Sequence, residues 1–286
     1  MTENELIDAH QHLWVRSERE YSWIVPEYGL LYDDFRPEQL APQIVEAGVT
    51  GTVLVQAADT YEDTFYMLDV AENFPIVKGV VGWVPFDRPN EARAALEVLS
   101  KNPFFKGVRN LTHDYSNPKY ESDDKWILRE AVQETLTLVE KAGLALDHVA
   151  INPTHISNVA TLAPNFPSLK IVIDHFAKPD IKGKVMQPWS DLMAEMARFP
   201  NVYAKLSGLN TASDANWTYH DWEPYVDHIV NVYGASRVML GGDWPVSTLA
   251  GDYVGVWKAQ VDVIAKYSAD EQEWMKSKTA KKFYNL

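Results

Sequence analysis

Two histidines near the start of the chain are the side chains best placed for chemistry. His10 and His12 end a short apolar run and are separated by one residue. Side chains of an extended strand alternate between its faces, so both imidazoles are expected on one side. Paired neutral imidazoles can bind a divalent metal ion or hydrogen-bond one carbonyl group. The pair is equally typical of surface histidines, so its meaning depends on the polar residues elsewhere.

Later apolar runs also end in or contain polar or aromatic residues that suit a site. These are Gln56, Trp83, Arg109, Asp147, His175, Lys205, Asp243 and Trp244. Asp243 is the strongest candidate, because glycine at Gly242 lets backbone and substrate approach closely and a carboxylate there has little structural purpose. Alternation in the fifth run sends Asp147 and His148 to opposite faces. We therefore expect Asp147 to face the site and His148 to pack against a helix.

Several polar residues also have purely structural interpretations. Asp174 and His175 could satisfy each other as a buried pair, and Arg109 could serve only as an ion-pair partner. Lys205 follows Ala204 in an apolar run, so its amine is expected to be buried or to face the site, because helices cover the outside of a parallel sheet. The remaining histidines stand in loop or helix contexts and are expected at the surface: His113, His155, His220 and His228.

Short runs rich in β-branched residues recur along the chain and predict eight strands. They cover residues 6–10, 51–56, 77–84, 106–111, 144–149, 170–176, 201–207 and 238–242, with helical patterns at 63–71, 91–99 and 124–141. Alternating strands and helices indicate an α/β fold of parallel units, and eight such units close into a (β/α)8 TIM barrel. We expect one domain over residues 1–286. Segments 21–35 and 210–227 are expected to be long loops covering the ends of the strands, where barrel enzymes carry their chemistry.

Composition narrows the classes of function. The chain has 286 residues, no cysteine and a formal net charge of −14. Any metal site must therefore use histidine and carboxylate ligands, and disulfides are excluded. The acidic balance disfavours nucleic acid and anionic membranes as partners. No apolar stretch is long enough to span a membrane, and the acidic residues 1–5 do not resemble a signal peptide, so a cytoplasmic protein is expected.

Seven motifs in order along nearly the whole chain resemble the amidohydrolase superfamily. Within it, the chain is similar to the sugar-lactonase branch of L-fuconolactonase-like and L-rhamnonolactonase-like proteins. The motifs occupy residues 7–14 (IDAHQHLW), 53–57 (VLVQA), 79–84 (GVVGWV), 106–109 (KGVR), 174–179 (DHFAKP), 205–209 (KLSGL) and 242–246 (GDWPV). The resemblance implies the same barrel fold and the hydrolysis of a lactone.

The resemblance also implies roles for particular residues. His10, His12 and His175 would surround the lactone carbonyl, and Asp243 would act as the general base. Dinuclear members of the superfamily carry a bridging lysine or a carboxylate on the fourth strand, where this chain has Arg109. We therefore expect at most one divalent ion, zinc in the first place, held by His10, His12 and Asp243. A metal-free site is the alternative, because some lactonases of this branch work without metal.

The other strand-end residues are assigned to substrate binding: Gln56, Trp83, Arg109, Asp147, Lys205 and Trp244. Amide and cationic donors suit hydroxyl oxygens, and indole rings suit the apolar face of a sugar. The expected partner is a small neutral sugar lactone, and assembly of the chain into a homo-oligomer stays open. Two alternatives stay open: a non-oxidative decarboxylase of the same superfamily, and a lactonase for a dicarboxylate such as a pyrone or muconolactone.

Overall fold

Eight short parallel strands follow one another around a single sheet. They are β1 (Ile7–Gln11), β2 (Gly51–Val55), β3 (Val77–Gly82), β4 (Phe105–Val108), β5 (Ala145–His148), β6 (Ile171–Ile173), β7 (Val202–Leu206) and β8 (Val238–Leu240). The computed structural model describes residues 5–121 and 123–286. Residues 1–4 of the acidic segment 1–5 therefore lie outside the described residues. Just past β8, the amide of Asp243 donates to the carbonyl of His10 at 2.7 Å. The amide of His12 donates to the carbonyl of Trp244 at the same distance, so the two ends of the sheet meet.

One helix follows each strand, as the predicted (β/α)8 barrel requires, and that prediction is confirmed. The helices are α1 (Pro37–Ala47), α2 (Tyr61–Asn73), α3 (Pro89–Leu99), α4 (Glu130–Lys141), α5 (Pro153–Asn165), α6 (Trp189–Met196), α7 (Tyr219–Tyr233) and α8 (Tyr253–Ile264), followed by α9 (Ala269–Glu273) and α10 (Thr279–Tyr284). Side-chain caps begin several of them: Thr60, Asn152 and Asp252 each accept a hydrogen bond from a backbone amide of the first turn. Within the described ranges, no helix is long and apolar enough to cross a membrane.

Some predicted boundaries are wrong. The helix expected at 124–141 begins only at Glu130, after a short 3-10 turn at Trp126–Leu128. The second long loop, expected at 210–227, ends at Thr218, because Thr218 and Asp221 form a capping box that begins α7. Strands β2 to β8 also end slightly earlier than the predicted runs. In the first long loop, a 3-10 segment at Pro26–Leu31 supplies local structure.

Helix α10 closes the end of the barrel at which the strands begin. Phe283 and Tyr284 are buried against residues of the barrel interior, including Tyr203. Lys106 and Lys170, at the starts of β4 and β6, donate to the backbone carbonyls of this segment. The opposite end of the barrel, where the strands finish, is left open for a site.

Candidate active site

The four residues predicted to be catalytic lie together at the carboxyl end of the strands. The Nε2 atoms of His10 and His12 are 3.1 Å apart. Asp243 places Oδ1 at 3.5 Å from His12 Nε2 and at 3.8 Å from His10 Nε2. His175 approaches the other oxygen, with Nδ1 at 3.9 Å from Asp243 Oδ2. All four side chains are buried, so they form a compact group with little access to bulk water.

Asp8 ties the first strand to the end of the last. Its Oδ1 accepts the backbone amides of His10 at 3.0 Å and of Gly242 at 2.8 Å. Its Oδ2 accepts the Tyr253 hydroxyl at 2.9 Å. Burial raises the pKa of Asp8 to about 7, although these hydrogen bonds lower it. Asp8 therefore fixes the backbone of β1 at His10 and the backbone just before Asp243 at Gly242. No role was predicted for Asp8 from the sequence.

A left-handed turn after β6 presents His175. Four consecutive non-glycine residues, His175 to Lys178, have φ between 49° and 59°. Each costs about 1–2 kcal/mol in this conformation, and such strain often marks functional sites. The turn places His175 Nδ1 at 2.8 Å from the Ser207 hydroxyl and close to Asp243. Glycine at position 208 provides the space for this contact, because a Cβ there would lie 2.7 Å from Asp243 Oδ2.

Burial sets the protonation of the group. It lowers the pKa of His175 to about 4, and lowers the pKa values of His10 and His12 as well. Burial alone would raise the pKa of Asp243, but the neighbouring His175 and His12 hold it well below its usual range. At neutral pH the site therefore contains three neutral imidazoles around one carboxylate anion.

The histidine and carboxylate donors fit a single divalent ion. His12 Nδ1 lies 2.7 Å from the Val55 carbonyl, which can only accept, so His12 Nε2 carries a lone pair. A tetrahedral zinc ion with bonds of about 2.0–2.2 Å holds its ligand atoms roughly 3.3 Å apart. The separations among His10 Nε2, His12 Nε2 and Asp243 Oδ1 bracket that spacing. These three residues could therefore hold a metal, as the sequence analysis expected.

The charges around the group also favour one cation there. Asp147, Asp174 and Asp243 are buried, and the buried cations near them are Arg109 and Lys205. Asp147 and Asp174 pair with these two cations, whereas within the described chain Asp243 faces only neutral histidines, and a buried charge without an ionic partner is costly. A second donor set, formed by His10, Asp174 and His175, shares His10. Its Asp174 already faces Lys205 at 3.1 Å and Arg109 at 3.4 Å, so a second ion would meet two cations.

The residues expected to bind substrate lie in three places: at the cavity surface, beneath the site and behind the cavity surface. Arg109 lines the cavity, and its NH1 lies 3.4 Å from Asp174 Oδ2 and 3.5 Å from His10 Nε2. Asp147 and Lys205 pair with each other beneath the site, where both are fully buried and do not line the cavity. Direct substrate contact by Asp147 and Lys205 therefore does not fit their positions.

Three more assigned residues lie behind the cavity surface. Gln56 donates from Nε2 to Asp59 and to the Arg109 carbonyl, both at 3.1 Å. Trp83 donates to Asn110 Oδ1 at 3.2 Å, and Trp244 packs its ring edge against Phe35. None of Gln56, Trp83 and Trp244 lines the cavity, so their positions fit support of the site rather than direct contact with a substrate.

A cavity of about 550 Å³ opens above this group. Its floor consists of His12, Arg109, His175 and Asp243. Its apolar lining consists of Trp23, Val25, Tyr28, Leu31, Ala57, Leu111, Val149, Val246 and Leu249. Its polar lining consists of His113, Asp114, Tyr115, Ser116, Lys178 and Thr211. The first predicted loop supplies four of the nine apolar residues, whereas the second supplies only Thr211.

The segment after β4 supplies much of the polar lining, although it was not among the loops predicted from the sequence. Its signal in the sequence was its length, because about twenty residues separate the end of β4 at Val108 from the start of α4 at Glu130. His113 lies in this segment and lines the cavity, so its predicted surface position is wrong. His155 is also buried, with Nε2 at 3.3 Å from Asp124, against the same prediction.

The remaining histidines follow the predictions more closely. His148 lies 2.9 Å from the backbone carbonyl of His155 in α5, which confirms that it packs against a helix. His220 is exposed, as expected. His228 is partly buried and lies 2.8 Å from the Ser190 carbonyl. Neither His220 nor His228 lines the cavity.

Fold and site together define the class of protein. Residues 7–286 match the family described as Amidohydrolase, and the chain belongs to that family. The barrel, the paired histidines at the end of β1, the histidine after β6 and the aspartate after β8 are the features that the resemblance anticipated.

Named relatives and a solved structure narrow the comparison. The chain is 38% identical over 255 residues to a protein of Burkholderia ambifaria named L-fucono-1,5-lactonase, covering 88% of this chain and 85% of that one. It is 27% identical over 259 residues to a protein of Burkholderia multivorans with the same name, covering 86% and 84%. An amidohydrolase of Burkholderia multivorans, solved with bound zinc, superposes with a TM-score of 0.89 at 26% identity over 99% of both chains. The expected lactonase-type hydrolase is confirmed at the level of the family and of the relatives' names.

Proposed function

We propose that this chain hydrolyses a neutral sugar lactone, using Asp243 as the general base. The observation that carries the proposal is the Asp243 carboxylate on the floor of the cavity, with nitrogens of three histidines at 3.5 Å to 3.9 Å from its oxygens. Asp243 presents its two oxygens differently, because Oδ1 faces the His10 and His12 nitrogens whereas Oδ2 faces His175. Oδ2 is the oxygen that can take a proton from an attacking water and return it to the ring oxygen that leaves.

Arg109 and the histidines handle the charge that develops on the carbonyl oxygen. Arg109 lies on the floor, and its position beside His10 Nε2 suits stabilisation of an oxyanion. His175 receives a hydrogen bond from Ser207 or donates one to it, which holds its ring in place. A zinc ion bound by His10, His12 and Asp243 would supply a Lewis acid that polarises the same carbonyl.

The cavity lining supports a neutral polyhydroxylated substrate. Apolar side chains suit the C–H face of a sugar ring, and the polar lining offers donors and acceptors for hydroxyl groups. The Arg109 guanidinium is already balanced by Asp174, so it is not a spare partner for a second carboxylate. The names of the two relatives, both called L-fucono-1,5-lactonase, support a six-carbon aldonolactone as the first substrate to test.

The reaction type can be tested with purified protein in weakly buffered indicator dye. Sugar lactones should release acid in proportion to enzyme, and a strong chelator should suppress the release until zinc is restored. Aromatic carboxylates should release no carbon dioxide. Carbon dioxide release without lactone turnover would instead support the decarboxylase alternative.

Elemental analysis of the zinc-loaded protein tests the proposed metal site. We expect one tightly bound ion per chain, because Arg109 replaces the bridging ligand and Asp174 is occupied by cations. Two tightly bound ions per chain would contradict this assignment. An active protein without any bound ion would leave the hydrolysis to Asp243, Arg109 and the histidines alone.

A further inference from the structure

A buried chain of polar groups connects helix α10 to the active-site histidines. The Tyr284 hydroxyl, on α10, lies 2.8 Å from both oxygens of Asp147. Asp147 in turn accepts a hydrogen bond from the Lys205 ammonium. Lys205 Nζ also lies 3.0 Å from His10 Nδ1 and 3.1 Å from Asp174 Oδ1. The proposed mechanism uses none of Tyr284, Asp147 and Lys205, although all three are buried within the barrel.

His10 Nδ1 lies between a donor and an acceptor. The Lys205 ammonium can donate to it, and Asp174 Oδ1 at 3.3 Å can accept from it. Asp174 Oδ1 is buried and has no well-directed hydrogen bond of its own. In a neutral imidazole only one nitrogen carries hydrogen, so the two contacts favour opposite tautomers.

The two tautomers differ in their ability to bind a cation. If Lys205 donates to Nδ1, the hydrogen is on His10 Nε2, where it can be donated to the His12 Nε2 lone pair at 3.1 Å. That arrangement leaves His10 Nε2 with no lone pair for a metal. If Nδ1–H donates to Asp174, His10 Nε2 is free to act as a ligand, as metal-binding histidines with carboxylate partners do.

We propose that Tyr284 and Asp147 are positioning residues that restrain the Lys205 ammonium and so allow Asp174 to set the metal-binding tautomer of His10. The inference rests on the proposed function only in taking His10 as a ligand. Tyr284 orients the Asp147 carboxylate, and that carboxylate competes with His10 and Asp174 for the Lys205 hydrogens. Helix α10, which closes the barrel, is thereby linked to the site through the side chains of Tyr284, Asp147 and Lys205.

Zinc affinity, measured by competition with a fluorescent chelator, tests the proposal. Tyr284→Phe keeps the buried ring and removes only the hydroxyl, and we expect it to weaken zinc binding by about 10-fold, within the range found for outer-shell partners. Asp147→Asn removes the charge that restrains Lys205, so we expect a larger loss, of roughly 100-fold. Lys205→Met removes the competing donor and should instead bind zinc at least as tightly as the wild type.

Tyr203→Phe is the matched control. Tyr203 packs in the same buried cluster as Tyr284, but its hydroxyl makes no side-chain hydrogen bond within the described parts of the chain. Loss of the Tyr203 hydroxyl should change zinc affinity by less than about 2-fold, because it removes no hydrogen bond to a residue of the site. Equal losses of zinc affinity in Tyr203→Phe and Tyr284→Phe would mean that both changes merely loosen the packing around α10, and would overturn the proposal.

Nitrogen NMR of the histidines gives a readout that a merely structural role would not move. In wild-type protein, we expect the His10 hydrogen on Nδ1 both without metal and after addition of zinc, whereas in metal-free Asp147→Asn we expect it on Nε2. In metal-free Lys205→Met it should stay on Nδ1. A wild-type tautomer in metal-free Asp147→Asn, or unchanged zinc affinity in both Tyr284→Phe and Asp147→Asn, would contradict the proposal.

The failure of this inference can be told apart from failure of the proposed function. If the wild type binds zinc and hydrolyses the lactone while the variants behave like it, only the positioning role fails. If the wild type binds zinc but turns over no lactone, the tautomer measurements still test the link between Tyr284 and His10. A wild type that binds no zinc would overturn the inference together with the metal site.

Discussion

The floor of the cavity and its lining are built in different ways. His12 and Asp243 of the floor come directly from strand ends, and the amide of each is hydrogen-bonded across the junction between β1 and the segment after β8. Tyr28 and Leu249 of the apolar lining come from 3-10 segments in loops and are partly exposed. A floor held by the sheet can keep its chemistry while loops change around it. The floor should therefore control turnover, and the lining should control which substrate binds.

The largest expected effect comes from the floor. Asp243→Asn should fold normally and lose about 10²–10⁴-fold in kcat, because a general base contributes about that much. Asp114→Asn makes the same chemical change in the polar lining and should leave kcat within about 3-fold. Steady-state kinetics, with thermal unfolding to check the fold, would compare the two. An Asp243→Asn variant that keeps more than half of the wild-type turnover would remove Asp243 from the mechanism.

Arg109 should show a smaller loss of turnover and a loss of stability. Arg109→Met is expected to lower kcat about 10²-fold, because one preorganised donor to an oxyanion is worth about 10²–10³. It should also lower the melting temperature, since buried Asp174 loses one of its cationic partners. Arg109→Lys keeps the positive charge but lacks the planar guanidinium group. It should therefore recover part of the lost kcat and part of the lost melting temperature. Full activity in Arg109→Met would assign Arg109 a structural role only.

The smallest expected effect comes from the apolar lining. Tyr28 is 44% exposed at the cavity, so its ring can gain contact with a bound sugar without being part of the core. Tyr28→Ala should raise KM by roughly 5- to 10-fold, the equivalent of about 1 kcal/mol of lost apolar contact, and leave kcat nearly unchanged. A matched change at Tyr32, which is similarly exposed but does not line the cavity, should alter neither value. A fall in kcat for Tyr28→Ala would mean that the lining also takes part in turnover.

Much of the floor could be predicted from the sequence because strand positions carry simple geometric rules. Two-residue alternation placed His10 and His12 together, and the rule that barrel enzymes use strand ends brought His175 and Asp243 to them. The same alternation correctly separated Asp147 from His148. It could not show depth along the strand, so Asp147 and Lys205 were assigned to the substrate although they lie beneath the site.

Other parts of the site depend on contacts that no local pattern reports. Asp8 looks like an ordinary acid in an apolar run, and the sequence offered Asp174 only the neighbouring His175 as a buried partner, yet each acid is fully buried and fixes the site through distant partners. The left-handed turn that presents His175 contains no glycine to signal it. Tyr284 contacts Asp147 across 137 positions of sequence, and only the closed barrel brings them together. These residues therefore had to be found in the structure.

The most direct test of the central claim compares two substrates on one enzyme preparation. The purified, zinc-loaded protein is given a six-carbon aldonolactone and a pyrone or muconolactone dicarboxylate, and kcat/KM is measured for each. We expect the sugar lactone to be favoured by at least about 10²-fold, since Arg109 is already paired with Asp174 and the Asp114 carboxylate in the lining offsets the charge of Lys178, so a second carboxylate is poorly compensated. A better rate with the dicarboxylate would contradict the sugar-lactone assignment, and no turnover of either lactone would contradict the proposed hydrolysis itself.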